Sequence, residues 1–246
     1  MLEEDKHLDD KRLKVAAELD PSHNLMQMAA ESEFSRHVRE LFKTLRPLRL
    51  IETGTYCGVG STTVIASALR ECSITGHKFY SIEVNPLYHK TAIENLTNNG
   101  LINYVTLVNG LSLPRACLLS LDEIEEKFVN NIEFTDIFVD HPKDERAQNY
   151  YSEVSFDGVP DDLLGLYLKE FDYRPDFILL DSAGHLGAVE FQYMVSLLKG
   201  QCVIALDDIY HVKHYKNFID AQKDPRFELI FSSKEKFGFC TMKFSP

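Results

Sequence analysis

Positive charge is scarce in this chain. Its 26 lysines and arginines face 38 aspartates and glutamates, a formal net charge of −12. A protein that grips nucleic acid needs a basic surface, so that class of partner is set aside. Long apolar runs are missing too: none approaches the roughly 18 residues of a membrane-spanning helix. Residues 1–20 are charged and carry no apolar signal region, so the expected location is the cytoplasm, with no membrane partner. Cysteine is sparse. Cys57, Cys72, Cys117, Cys202 and Cys240 stand apart with no Cys-x-x-Cys pair, which fits reduced thiols rather than a disulfide framework or a zinc site. There is no internal repeat and no low-complexity segment. Also absent is the Gly-x-Gly-x-x-Gly spacing with which a turn approaches a dinucleotide pyrophosphate.

What is present is organised around residues 50–68, LIETGTYCGVGSTTVIASA. A short apolar strand (48–51) meets an acid, Glu52, and then a turn holding Gly54, Gly58 and Gly60, followed by a helix-forming run over 61–70. Glycine lets a backbone turn tightly and approach a ligand without a Cβ in the way. Strand, glycine turn and helix start together make a pocket for a small polar molecule. A carboxylate at the strand end repels a pyrophosphate but suits a ligand bearing an ammonium, as S-adenosylmethionine does. Cys57, in the turn, reads as a packing residue. At 246 residues and 44% hydrophobic content, the chain is expected to be one α/β domain spanning 1–246.

The motif ETGTYCGVGST resembles motif I of the class I S-adenosylmethionine-dependent methyltransferases. It is most similar to the small-molecule O-methyltransferases related to catechol O-methyltransferase, with their E-x-G-T-x-x-G. The resemblance covers residues 48–112 and 176–246. It implies a Rossmann-like doubly wound sheet of seven strands, mostly parallel, with one antiparallel strand near the C-terminal end. The strands read at 48–51, 77–82, 103–109, 176–181, 201–208, 226–232 and 238–244. Helices read at 61–70, 87–98, 186–199 and 211–222, with Pro86 at a helix start and Asn99-Gly100 at its end. Residues 1–46 read as a helical extension: a charged helix over 1–20, a break at Asp20-Pro21-Ser22, then an amphipathic helix over 23–45.

Between residue 112 and the fourth strand the chain runs for about sixty-five residues, where the resembled family needs about twenty. Two segments compete for that strand, 134–140 (FTDIFVD) and 176–181 (DFILLD). The second is preferred, because it leaves a helix-length crossover to the fifth strand. Residues 120–175 are then an insertion on the ligand-binding side of the sheet, including a helix over 161–171, and serve as a substrate lid or as a dimerisation element. Residues 120–176 hold sixteen acids against five bases, nearly the whole charge excess. They are a solvated surface or an acidic wall favouring a cationic or metal-bound substrate.

The resemblance implies residue roles. Glu52, Gly54, Thr55, Tyr56, Gly58 and Ser61 would hold the methionine end of the donor. Glu83, with Asn85, would hold the ribose, because one carboxylate accepts from both hydroxyls. Gly110 and Ser112 would lie against the adenine, although Leu111 departs from the Gly-Asp of many relatives. Asp181 would serve both cofactor and catalysis, and Asp181, Asp207 and Asp208 would bind Mg²⁺, a hard cation suited to carboxylates and water. Catechol-type enzymes carry a base Lys three residues beyond the fourth-strand acid. Here Gly184 stands at that position and His185 follows, so His185 is the expected base, with an ordinary pKa near 6.5. His211 and His214, one helical turn apart, could approach the substrate or a metal, and Lys213 is a second candidate for the base. The expected activity is methyl transfer to a hydroxyl of a small molecule, Mg²⁺-assisted. Alternatives are a metal-independent O- or N-methyltransferase, a nicotinamide-dependent oxidoreductase, and a cofactor-binding protein without catalysis.

Overall fold

The computed structural model describes residues 32–130 and 137–246. The expected helix over 1–20, its break and the first part of the helix over 23–45 lie outside the described residues. The described part of the extension is helix α1, Glu33–Leu45. Ser32 caps it by accepting from the Ser35 N–H at 3.1 Å, and Arg46 ends it in the left-handed region at φ 49°.

Seven strands follow in one sheet: β1 (Arg49–Thr53), β2 (Lys78–Glu83), β3 (Thr106–Asn109), β4 (Phe177–Leu180), β5 (Cys202–Asp207), β6 (Phe227–Ser233) and β7 (Phe239–Phe244). Their order is β3-β2-β1-β4-β5-β7-β6. All neighbours pair in parallel except β7, which runs antiparallel to both β5 and β6. This is the expected doubly wound sheet, and the stretch 176–181 supplies the fourth strand. The rival stretch 134–140 lies partly outside the described residues. Its described end forms a single bridge, Phe138 with His211, rather than a strand.

The sheet is covered on both faces, so its central strands read as continuous apolar runs. In β4 every residue of Phe-Ile-Leu-Leu is buried. Alternate residues serve opposite layers. Leu50, Phe177 and Leu179 pack with Phe34, Val38 and Phe42 of α1 and with Val64, Ile65 and Leu69 of α2 (Ser61–Glu71). Ile51, Ile178 and Leu180 pack on the other side with Phe191 and Met194 of the helix Leu186–Leu197. The helix Leu163–Glu170 joins this second layer through Leu163, Leu164 and Leu168. The last part of the expected insertion is therefore an ordinary sheet-covering helix. What projects over the carboxyl ends of the strands comes from before it.

In chain order, α3 is Pro86–Asn98, α4 is Leu121–Glu125 and α5 is Lys143–Ser152. Leu163–Glu170 is α6, Leu186–Leu197 is α7 and Tyr215–Ala221 is α8. The last is shorter than expected. Asp208 takes the left-handed conformation at φ 55°, and residues 210–212 hydrogen-bond to Phe138 before the helix can start.

Candidate active site

Sheets of this kind bind ligands beyond the carboxyl ends of their strands, where neighbouring connections leave in opposite directions. Here β1 has β2 on one side and β4 on the other, and a cavity of about 570 Å³ opens above them. That is the volume of a small-molecule site. Every parallel strand from β1 to β5 sends residues to its wall through the loop that follows it.

The glycine turn after β1 forms the floor. Gly54 sits at φ +83°, and a Cβ there would collide with the Asp181 carbonyl, so only glycine lets the ends of β1 and β4 close together. Gly58, at φ +71°, instead backs onto Ala92 and Leu96 of α3, a packing role outside the cavity wall. Tyr56 takes a left-handed conformation, φ 50°, and its backbone N–H donates to Glu83 Oε2 at 2.7 Å. The Asn85 N–H donates to the other oxygen, Oε1, at 2.8 Å. Glu83 is thus clamped by two main-chain donors at the wall, with lone pairs left for a ligand diol. Burial raises its pKa, and those two N–H groups oppose the rise. The Asn85 side chain also caps α3, accepting from the Leu87 N–H at 2.9 Å.

Glu52 lies elsewhere. Its carboxyl is fully buried, accepts from the hydroxyls of Thr62 (2.7 Å) and Ser81 (2.5 Å), and does not line the cavity. Burial lifts its pKa to about 7, against the pull of those hydroxyls. Thr55 is buried with it, its hydroxyl 2.5 Å from that of Ser81. Ser61 does reach a wall residue, donating to Asp181 Oδ2 at 3.3 Å.

Gly110 and Ser112 both line the cavity. The Ser112 hydroxyl, however, is spent on Glu190, a buried acid of α7 that also accepts from Ser182 (2.8 Å) and Thr53 (2.9 Å). Glu190 ties together the end of β1 and the chain after β3 and β4, beside the site. Its signal in the sequence is an acid inside an otherwise apolar helix.

Asp181, Asp207 and Asp208 converge as expected, with one oxygen of each within 4.8 Å of the others. Lys213 joins them. Its Nζ is 2.8 Å from Asp208 Oδ2 and 3.3 Å from Asp181 Oδ1. Burial raises Asp207 well above the ordinary carboxylate range, and the charges of Asp208 and Asp181 add to it. Burial also raises Asp181, opposed by Lys213 and helped by Asp208.

His185 is not brought to this wall. Its ring is fully buried, packs 6.4 Å from the Phe128 ring, and is absent from the cavity lining. Burial lowers its pKa to about 4. Other groups reach the wall instead. Asp140 Oδ1 lies 3.0 Å from His211 Nε2, and Glu153 Oε1 lies 3.0 Å from His141 Nε2. Of the sixteen acids in residues 120–176, these two are the ones from the described part that line the cavity, and each faces an imidazole. The net negative charge of that segment therefore belongs mainly to other surfaces, which favours the solvated-surface reading over an acidic wall. Composition alone could not place them, because nothing local marks which two acids turn inward.

No family model matches the sequence, and no curated protein does. Solved structures do resemble the fold. An O-methyltransferase from Bacillus cereus, in complex with S-adenosylhomocysteine, aligns over 100% of both chains at 15% identity and a TM-score of 0.52. TomG from Streptomyces achromogenes, an O-methyltransferase of tomaymycin synthesis bound to S-adenosylmethionine, aligns over 96% of this chain and 90% of its own, at 15% identity and TM-score 0.51. The methyltransferase PaMTH1 of Podospora anserina, bound to S-adenosylhomocysteine, aligns over 97% and 88%, at 13% identity and TM-score 0.50. At such identities the likeness establishes architecture: this chain has the class I methyltransferase fold.

Proposed function

We propose that this protein transfers a methyl group from S-adenosylmethionine to a hydroxyl of a small molecule. The observation that carries the reading is the clamped Glu83. A carboxylate held by two backbone N–H groups at the end of β2 offers acceptors to a ribose diol, and the turn after β1 lacks the Gly-x-Gly-x-x-Gly spacing of a pyrophosphate cradle. Gly110 and Ser112 border the place for the adenine, while Gly54 and Asp181 border the methionine end. Glu52 acts from below, holding Ser81 and Thr62 under the turn rather than meeting the ammonium.

Transfer consists of attack by the acceptor oxygen on the sulfonium methyl, in line with the breaking carbon–sulfur bond. The leaving group is a neutral thioether, so the chain need not stabilise a new anion there. Holding both partners in line can supply several kcal/mol. The acceptor must also shed its proton. Asp207, whose pKa burial and two neighbouring carboxylates raise above the ordinary carboxylate range, is the wall group we assign to receive it. A bound Mg²⁺ would lower the pKa of the acceptor hydroxyl, and Asp181, Asp207 and Asp208 are spaced to hold one. As built, however, the set also contains the Lys213 ammonium, and it does not fit a divalent cation.

Calorimetry tests the cofactor. S-adenosylmethionine and S-adenosylhomocysteine should bind, and NADH should not. Silence with both sulfur ligands, or heat with NADH alone, would overturn the reading. With an acceptor in hand from a hydroxyl panel, Asp207→Asn should lower kcat while leaving S-adenosylhomocysteine affinity in place.

A further inference from the structure

We infer that Lys213 is a resident cation: its ammonium takes the place that the Asp181, Asp207 and Asp208 trio would otherwise offer a divalent metal, and the site works without one. The consequence for catalysis rests on the methyltransferase reading above, but the occupancy of the trio does not.

The geometry is that of a filled site. The ammonium touches two of the three carboxylates, at 2.8 and 3.3 Å, and the three acids lie within 4.8 Å of one another. A hard divalent ion placed among those oxygens would sit against a positive charge, and it binds well only where nearly all its neighbours are oxygen. Lys213 is 4% exposed, so its position is not that of a surface lysine that happens to reach over. The surroundings are shaped for it. A Cβ at Gly187, in the first turn of α7, would lie 2.9 Å from Lys213 Cγ and 2.8 Å from His214 Nε2. The missing side chain leaves the channel through which the lysine stem runs. At its base the Lys213 N–H donates to His211 Nδ1 at 3.2 Å, which fixes where the stem starts. At the far end, the left-handed Asp208 is the acid that makes the shortest contact with the ammonium.

Charge points the same way. Three carboxylates confined together repel one another, and an ammonium in contact with two of them offsets that repulsion. Of the cations among the residues lining the cavity, Lys213 is the one in contact with the trio. Lys213 also lines the cavity, so its ammonium is placed to donate to the acceptor oxygen and help to orient it, a role otherwise left to a metal.

The test uses Mn²⁺ alone, followed by electron paramagnetic resonance, with the full chain. The wild type should leave the free Mn²⁺ signal unchanged up to about millimolar concentrations, where carboxylate sites of weak affinity begin to fill. Lys213→Met should create a site for one Mn²⁺ per chain that binds at least about tenfold tighter. Adding Asp207→Asn to that variant should abolish it. Saturable binding of one Mn²⁺ by the wild type, or no gain in Lys213→Met, would overturn the inference. A circular-dichroism melt checks that the variant folds. If it does not, the wild-type titration still decides. Failure of S-adenosylhomocysteine to bind would sink the methyltransferase reading without touching this result.

Discussion

Replacing Glu52 by Gln should make the protein more stable above neutral pH and leave it little changed in mild acid. Glu52 is fully buried, and its pKa rises from 4.5 in an unstructured chain to about 7 in the fold. Between those values the folded state holds a proton that the unfolded state has released. Stability therefore falls as pH rises through that window, by about 1.4 kcal/mol per pH unit. The full loss, some two and a half units, is about 3 kcal/mol and is complete just above pH 7. Gln keeps the shape and an acceptor for Thr62 and Ser81 but has no proton to lose. Thermal melts at pH 4 and pH 8, on either side of that window, give the readout. For a domain of this size, about 3 kcal/mol corresponds to roughly 6–12 °C in Tm. The wild type should lose that much relative to Glu52→Gln between the two pH values. Other buried acids, Glu83, Asp181, Glu190 and Asp207, tilt stability the same way, but they remain in both proteins and cancel in the difference. The same variant should bind S-adenosylhomocysteine within about threefold of wild type, because a direct charged hydrogen bond, worth more than tenfold, is not being removed. A Tm difference that stays flat with pH, together with a large loss of affinity, would place Glu52 in the ligand site and refute the argument.

Glu83→Gln should weaken S-adenosylhomocysteine binding by about tenfold or more, because a charged acceptor at the wall is lost; calorimetry reads it directly. Gly54→Ala should cost more than about 1 kcal/mol, since its φ of +83° disfavours a side chain and the new Cβ meets the Asp181 carbonyl. A melt unchanged from wild type would contradict that packing. Glu190→Ala should destabilise by about 2–5 kcal/mol, because it strands the hydroxyls of Thr53, Ser112 and Ser182 in a buried space. Chemical denaturation measures the loss, and Glu190→Gln should recover part of it.

The chain's own pattern determined the sheet. Short apolar runs bounded by turn residues marked the strands, crossover length chose 176–181 over 134–140 for the fourth, and the glycine spacing after β1 marked which edge carries the site. Glu83, Asp181, Asp207 and Asp208 were also legible, because an acid at the end of a buried parallel strand has few places to go but the ligand edge. Tertiary structure decided between acids that look alike in one dimension. Glu52 pairs in register with Ser81 and Leu179, one rung inside the edge, and so turns into the core. Glu83 pairs with Asn109 on the last rung of its ladder and reaches the cavity. Glu52 lies level with Ser81, so Glu83 stands two rungs nearer the ligand edge on the same face of the sheet, and that level depends on the neighbouring strands rather than on the strand itself. His185 was hidden for a similar reason: helix α7 starts so that the ring packs on Phe128 instead of facing the ligand. Lys213 reaches the acids only because a turn after β5, a bare glycine on α7 and the end of β4 meet in space, and residues 181, 187, 208 and 213 acquire that relation through packing alone.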